Sequence, residues 1–167
     1  EDADGVVERA VGAGAKVVFV DRGLPGDVIE ARVTRVRRNL AEAGLGALIS
    51  GSPDRVSAPC PHVQRCGGCR FQDLDYAAQC RIKERQVQET LAHLGGIADP
   101  PVRAITPAPE QFHYRNKMEF SFHPGADGAP VLGLHERGTF DKVFALETCL
   151  LPSALTVEIV HLTQRFA

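Results

Sequence analysis

The sequence has no surplus of positive charge, no long apolar run and no leader-like start. Its 167 residues carry 19 Lys and Arg against 21 Asp and Glu, a formal net charge of −2. That excludes a general basic coat for nucleic acid but leaves room for a local patch. No apolar run approaches the ~20 residues of a membrane span. No charged start followed by an apolar stretch marks a secretory leader, so the expected compartment is the cytoplasm. Internal repeats and low-complexity tracts are also missing. The chain begins at Glu1 rather than Met, as a fragment would. What is there is ordinary globular composition, 44% hydrophobic and 24% charged, which argues against disorder. The length suits about one domain or two small ones, enough to bury roughly 68–70% of the unfolded surface.

The cysteines carry the most information. There are five, Cys60, Cys66, Cys69, Cys80 and Cys149. An odd number without a secretory leader argues against a disulfide scaffold. Three follow a C-x5-C-x2-C spacing, and 79 residues separate Cys69 from Cys149. Cys66-Gly67-Gly68-Cys69 places two thiolates on a tight knuckle, where glycine lets backbone N–H groups approach sulfur. Such thiolates suit tetrahedral zinc or an iron–sulfur cluster, and four cysteines suffice for either. Structural zinc sites usually pair two knuckles, and one knuckle with an outlying and a remote Cys is more cluster-like. His62 could complete a zinc site instead. A redox CxxC would prefer a βαβ setting that is not evident. A radical S-adenosylmethionine enzyme would space its first two cysteines at C-x3-C. Cys80 reads as a small buried hydrophobe.

The hydrophobic pattern predicts α+β architecture. Val17–Val20, Val28–Val36 and Leu45–Ile49 read as short strands separated by turn chemistry such as Leu24-Pro25-Gly26-Asp27, which suggests a small OB-like β-barrel. Asp73–Leu94 reads as a helix, capped by Asp73 or Asp75, with Leu74, Ala78, Ile82, Val87, Leu91 and Leu94 as its apolar stripe. Tyr114–Phe122 alternates as a strand, with Tyr114, Asn116, Met118, Phe120 and Phe122 on one face, Phe120 and Phe122 read as core, and Arg115, Lys117, Glu119 and Ser121 on the other face. After a turn at Gly125–Gly128 come strands at Val131–His135 and Lys142–Leu146, a small antiparallel sheet. Pro152 suits the first turn of a last helix with Leu155, Ile159, Leu162 and Phe166 as its docking stripe. His113 and His135 read as surface or structural residues. Arg115 and Lys117, with the basic cluster Arg32, Arg35, Arg37 and Arg38, are the candidates for neutralising phosphates.

The linear order of these features carries a resemblance. Leu24-Pro25-Gly26-Asp27 and Ser52-Pro53-Asp54-Arg55-Val56 precede Cys60-Pro61-His62 and Cys66-Gly67-Gly68-Cys69-Arg70-Phe71-Gln72. Tyr114-Arg115-Asn116-Lys117-Met118-Glu119-Phe120, Leu132-Gly133-Leu134-His135 and Glu147-Thr148-Cys149-Leu150-Leu151 follow. The chain resembles, over essentially its whole length, the N-terminal half of RNA 5-methyluridine methyltransferases that carry a TRAM domain and a [4Fe–4S] cluster, the 23S rRNA (uracil-5-)-methyltransferases above all. The resemblance implies cluster ligands Cys60, Cys66, Cys69 and Cys149, with Cys80 at a usually apolar position. It implies a TRAM-like, RNA-binding barrel over 1–55 and a cluster-binding, RNA-facing α+β domain over 56–151. A helix over 152–167 would then lead to a catalytic domain.

The implied reaction is addition of a Cys thiolate to C6 of uracil and methyl transfer from S-adenosylmethionine to C5, combined with base flipping. No Rossmann-like unit for S-adenosylmethionine precedes Ala167, so the chain by itself is expected to be inactive and to hold no catalytic residue. The expected partner is RNA, with 23S rRNA favoured over tRNA, and no membrane or protein partner is implied. The alternatives are a free-standing RNA-binding module with a structural metal site, iron–sulfur or zinc, and a zinc protein of unrelated function.

Overall fold

The computed structural model describes residues 17–125 and 128–167. The first 16 residues of the expected barrel and the tip of the turn at 125–128 therefore lie outside the described residues. The chain divides into two compact units, one ending at Val56 and the other running from Ser57 to Ala167.

In the first unit, β1 (Val17–Asp21), β2 (Val28–Val36) and β3 (Leu40–Ser50) form one sheet in the order β1-β3-β2. β3 is central: parallel to β1, with Val20 opposite Ala43, and antiparallel to β2 with bulge-like register shifts. It is longer than the strand expected at Leu45–Ile49, because the β2–β3 hairpin turns at Arg37–Asn39, where the Arg37 N–H donates to the Leu40 carbonyl at 2.8 Å. Ala41-Glu42-Ala43-Gly44 has weak strand propensity, but pairing on both edges overrides it. Ala41, Ala43, Val20 and Leu24 form the buried centre. Among the described residues the sheet stays open at three strands, so residues 17–50 do not by themselves close the expected barrel.

The loops of this unit are held by one carboxylate. Gly26, at φ +88°, turns the chain so that Asp27 points inward. Asp27 accepts the N–H groups of Leu24 (2.7 Å) and Ser52 (2.9 Å) and two bonds from the Arg55 guanidinium, at 2.8 and 2.6 Å. Its side chain is 2% exposed and that of Arg55 21%. Burial alone would raise the Asp27 pKa, but the Arg55 bonds, the two amides and the Arg55 charge together hold it below the ordinary 3.8.

The second unit contains α1 (Tyr76–His93), a sheet of β4 (Ser121–Pro124), β5 (Pro130–His135) and β6 (Val143–Ala145), and α2 (Ala154–Phe166). β5 is central and both pairings are antiparallel, as the sequence suggested. Asp75 caps α1 by accepting the Ala78 N–H at 3.1 Å, so the helix starts at Tyr76 and not at Asp73. Of its expected stripe, Leu74 and Ala78 are buried, while Val87, Leu91 and Leu94 are exposed. Val87 and Leu91 line an open groove of about 620 Å³ with Val102 and Ile105.

Two more expectations are corrected. Tyr114–Phe120 is not a strand: the chain there touches a neighbour as an extended segment only at Arg115, in an isolated bridge to Pro152. Met118 and Phe120 do pack on the core. Regular pairing begins at Ser121, where the phase shifts, so Phe122 points outward and is 53% exposed rather than buried. Pro152 precedes the last helix and is buried, and Ser153 is the cap that accepts the Thr156 N–H. α2 does not dock through Leu155, Ile159, Leu162 and Phe166, which are all exposed. It buries Val157 and Val160 among Leu132, Leu146, Cys149 and Leu151. Gln164 fixes it further, accepting the Leu132 N–H and donating to the Pro130 carbonyl. Among the described residues no helix is long and apolar enough to cross a membrane.

Candidate metal centre

The cysteine loop has no strand of its own and is shaped by hydrogen bonds. The His62 carbonyl accepts the N–H groups of Arg65 (2.9 Å) and Cys66 (2.7 Å), and the Cys60 carbonyl that of Val63 (3.2 Å). The Gln72 side chain accepts the Cys60 N–H at 3.3 Å. The loop is then stitched to the end of β5. Cys66 bridges Glu136, the Gly67 N–H donates to the His135 carbonyl at 3.4 Å, and the Arg137 N–H donates to that of Arg65 at 2.9 Å. Arg65 pairs with Glu136 at 2.5 Å and lies over the buried Phe144 ring at 5.0 Å.

Cys149 comes to the same place from the segment after β6. His62 Nε2 accepts the N–H groups of Glu147 (3.1 Å) and Thr148 (3.4 Å), and its ring packs 4.9 Å from that of Phe144. His62, the alternative zinc ligand, thus commits Nε2 to tethering the segment before Cys149.

The four thiols are close enough to sense one another. Cys60, Cys66 and Cys149 are buried, and Cys69 is half-buried against the core that contains Cys149. Burial pushes the pKa of Cys60, Cys66 and Cys149 up from 9.0. Backbone N–H groups of His62, Gly68 and Leu151 favour the respective thiolates and partly offset this. Repulsion then raises them again: Cys149 feels Cys69, Cys60 and Cys66, while Cys66 also feels the opposing charge of Arg137. Cys80 is half-buried on α1 and stands outside this set of mutual charges. Among the described residues no three His, Cys, Asp or Glu side chains are grouped as they would be around a single ion.

Arg137 is the residue that the linear pattern does not reveal. One of its Nη atoms donates to the Cys69 carbonyl at 2.8 Å and to the Cys66 carbonyl at 3.4 Å, both ends of the knuckle. The spacing from Cys66 to Arg137 holds no motif; the only sequence signal is a turn residue, Gly138, next to it.

The candidate RNA-facing cations are exposed. Arg115 donates its backbone N–H to the Leu151 carbonyl at 3.0 Å and sends its guanidinium past Met118. Lys117 makes a surface pair with Glu119 at 2.9 Å. Such a pair contributes about 0–1 kcal/mol and would yield readily to a phosphate. In the first unit, Arg35 lies on β2, while Arg37 and Arg38 sit in the hairpin turn and Arg37 reaches Glu42 at 3.3 Å.

No family model matches the chain. Its relatives include a protein of Gloeobacter violaceus, 38% identical over 146 residues, covering 87% of this chain and 31% of the relative. Another, of Nitratidesulfovibrio vulgaris, is 41% identical over 145 residues, again 87% of this chain and 31% of the relative. A third, of Chlorobaculum tepidum, is 35% identical over 157 residues, 86% of this chain and 32% of the relative. All three are named as uncharacterized RNA methyltransferases, so the chain, which spans about a third of the length of these relatives, is similar to one portion of proteins of that name.

Proposed function

We propose that the chain is the RNA-engaging, iron–sulfur portion of an S-adenosylmethionine-dependent RNA (uracil-5-)-methyltransferase acting on 23S rRNA. The observation that carries this reading is the convergence of Cys60, Cys66 and Cys69 with Cys149 in a unit similar to part of proteins named RNA methyltransferases. The donor set fits a cluster. Three thiols are buried and backbone amides face their sulfurs. One tetrahedral zinc would draw all four sulfurs to about 2.3 Å from a single point, whereas a [4Fe–4S] cluster seats each thiolate on a different iron and accepts wider spacing. Cys60, Cys66, Cys69 and Cys149 would hold it, and its chemistry here would be structural, fastening the loop to the segment after β6 so that binding energy becomes folding energy. S-adenosylmethionine would be bound outside this chain, and none of the five cysteines is assigned as the nucleophile toward uracil.

The metal reading is tested by visible absorption with iron, sulfide and zinc analysis on anaerobically purified protein. About four irons per chain, lost on Cys149→Ser, are expected. About one zinc per chain in a colourless sample would overturn the cluster and favour a zinc-stapled binding module. The RNA face is tested with oligonucleotides drawn from 23S rRNA and from tRNA. Arg115→Glu with Lys117→Glu should weaken binding on the order of tenfold or more. It should also reduce the steepness of the salt dependence by about 1.4, two phosphates at ~0.7 each for a single strand. Iron content should be unchanged. Unaltered affinity would remove this face from the interface.

A further inference from the structure

We propose that Arg137 is a positioning residue for the cluster: its guanidinium shapes the Cys66–Cys69 knuckle and sets a compensating positive charge beside it. The inference rests on the cluster reading above. Three observations carry it. First, the guanidinium bonds the carbonyls of Cys66 and Cys69, so one planar group spans the knuckle and fixes the separation of its two ends. Second, the knuckle lies directly on Arg137: a Cβ on Gly67 would come 3.6 Å from the Arg137 Cα, and the Arg137 N–H is itself tied to the Arg65 carbonyl at 2.9 Å. Third, the guanidinium is half-buried and its charge reaches the Cys66 sulfur.

Those positions do two separate things. The donated bonds hold the backbone carbonyls at the two ends of the knuckle. The charge acts on whatever negative charge the thiolates gather. A four-thiolate cluster gains negative charge on reduction, so a nearby fixed cation favours its reduced form. Lysine would keep the charge but not the planar group that holds one nitrogen between the two carbonyls, because its ammonium sits on a flexible stem. Glutamine would keep some bonding and lose the charge. The two functions are therefore separable by substitution.

The test uses the full chain, reconstituted anaerobically, as wild type, Arg137→Lys and Arg137→Gln. Two quantities are read: the rate of iron release to a colorimetric chelator, and the midpoint reduction potential by spectroelectrochemistry. Far-UV circular dichroism confirms that each chain is folded. Iron release is expected to be about tenfold faster or more in both variants, Arg137→Gln having lost the charged donor and Arg137→Lys the rigid placement of it between the two carbonyls. The potential is expected to fall in Arg137→Gln and to stay near the wild-type value in Arg137→Lys. A purely structural role would move both variants alike and leave the potential untouched. Equal release rates in all three chains, or an unchanged potential in Arg137→Gln, would overturn the proposal while the cluster reading stands. A wild-type chain that takes up no iron would overturn both.

Discussion

Replacing Arg55 with Met is expected to cost the first unit about 3–5 kcal/mol, the usual consequence of removing one partner of a buried ion pair. Asp27 would be left with its charge 2% exposed and its two guanidinium bonds gone. Asp27→Ala should cost at least as much for a different reason. It strands the amides of Leu24 and Ser52 and removes two of the guanidinium's bonds, and each orphaned buried amide costs about 1–3 kcal/mol. The double variant should lose less than the two single losses combined, because each single change already breaks the shared pair. Hydrogen exchange across β1, β2 and β3 reads this locally; unchanged protection in Arg55→Met would refute the staple. The same carboxylate sets a pH dependence. Its folded-state pKa lies below 3.8, so an unfolded chain binds a proton where the folded one does not. The stability it contributes is present above the ordinary carboxylate value and is lost as pH falls through the folded-state value. Between about pH 6 and about pH 3, wild type should therefore lose stability more steeply than Asp27→Asn.

Gly133→Ala should be the most damaging single methyl in the second unit. A Cβ there would run into the Phe144 carbonyl oxygen and lie 2.8 Å from its carbon. Both obstacles are backbone, so β6 must retreat from β5. That breaks the pairings Gly133↔Ala145 and Leu134↔Phe144. It also displaces Phe144, which is fully buried beneath His62 and Arg65. The cost belongs at or above the top of the roughly 1–3 kcal/mol that overpacking usually exacts. Gly138→Ala is the control. Gly138 has φ +71° but open space around it, so alanine there meets only the roughly 1–2 kcal/mol of left-handed strain. Thermal unfolding of the two variants should rank Gly133→Ala well below Gly138→Ala; equal midpoints would show that β6 yields without loss.

The elements with strong local signals were legible in the sequence. An aspartate cap for α1 (Asp73 or Asp75, with Asp75 the one used), the strands around Val131 and Val143, and the turn at Leu24–Asp27 all follow from side-chain chemistry within a few residues. The errors fell where distant contacts decide. Ala41–Gly44 becomes strand only because β1 and β2 flank it. Tyr114–Phe120 alternates like a strand, yet its backbone is spent on Leu150, Leu151 and Pro152, where His113 and Arg115 donate to carbonyls of the segment before α2. In α2 the periodicity pointed to Leu155, Ile159, Leu162 and Phe166, but Val157 and Val160 are the residues buried. At the cysteines, spacing identified the knuckle and the outlying thiols. The tether through His62 and the clamp through Arg137 join residues 68 or more positions apart and leave no trace in linear spacing.

The order in which the thiols enter the chain has a consequence during synthesis. Cys69 is made 80 residues before Cys149, and at about 5–20 residues per second that is an interval of roughly 4–16 seconds. Throughout it, three sulfurs have left the peptidyl-transferase centre and the fourth has not. β5 and β6, which place the knuckle and the final segment side by side, are also made within that window. On the iron–sulfur reading proposed above, an iron donor that met the nascent chain then would find three of the four ligands, and loading would wait until β6 and Cys149 have emerged from the ribosome.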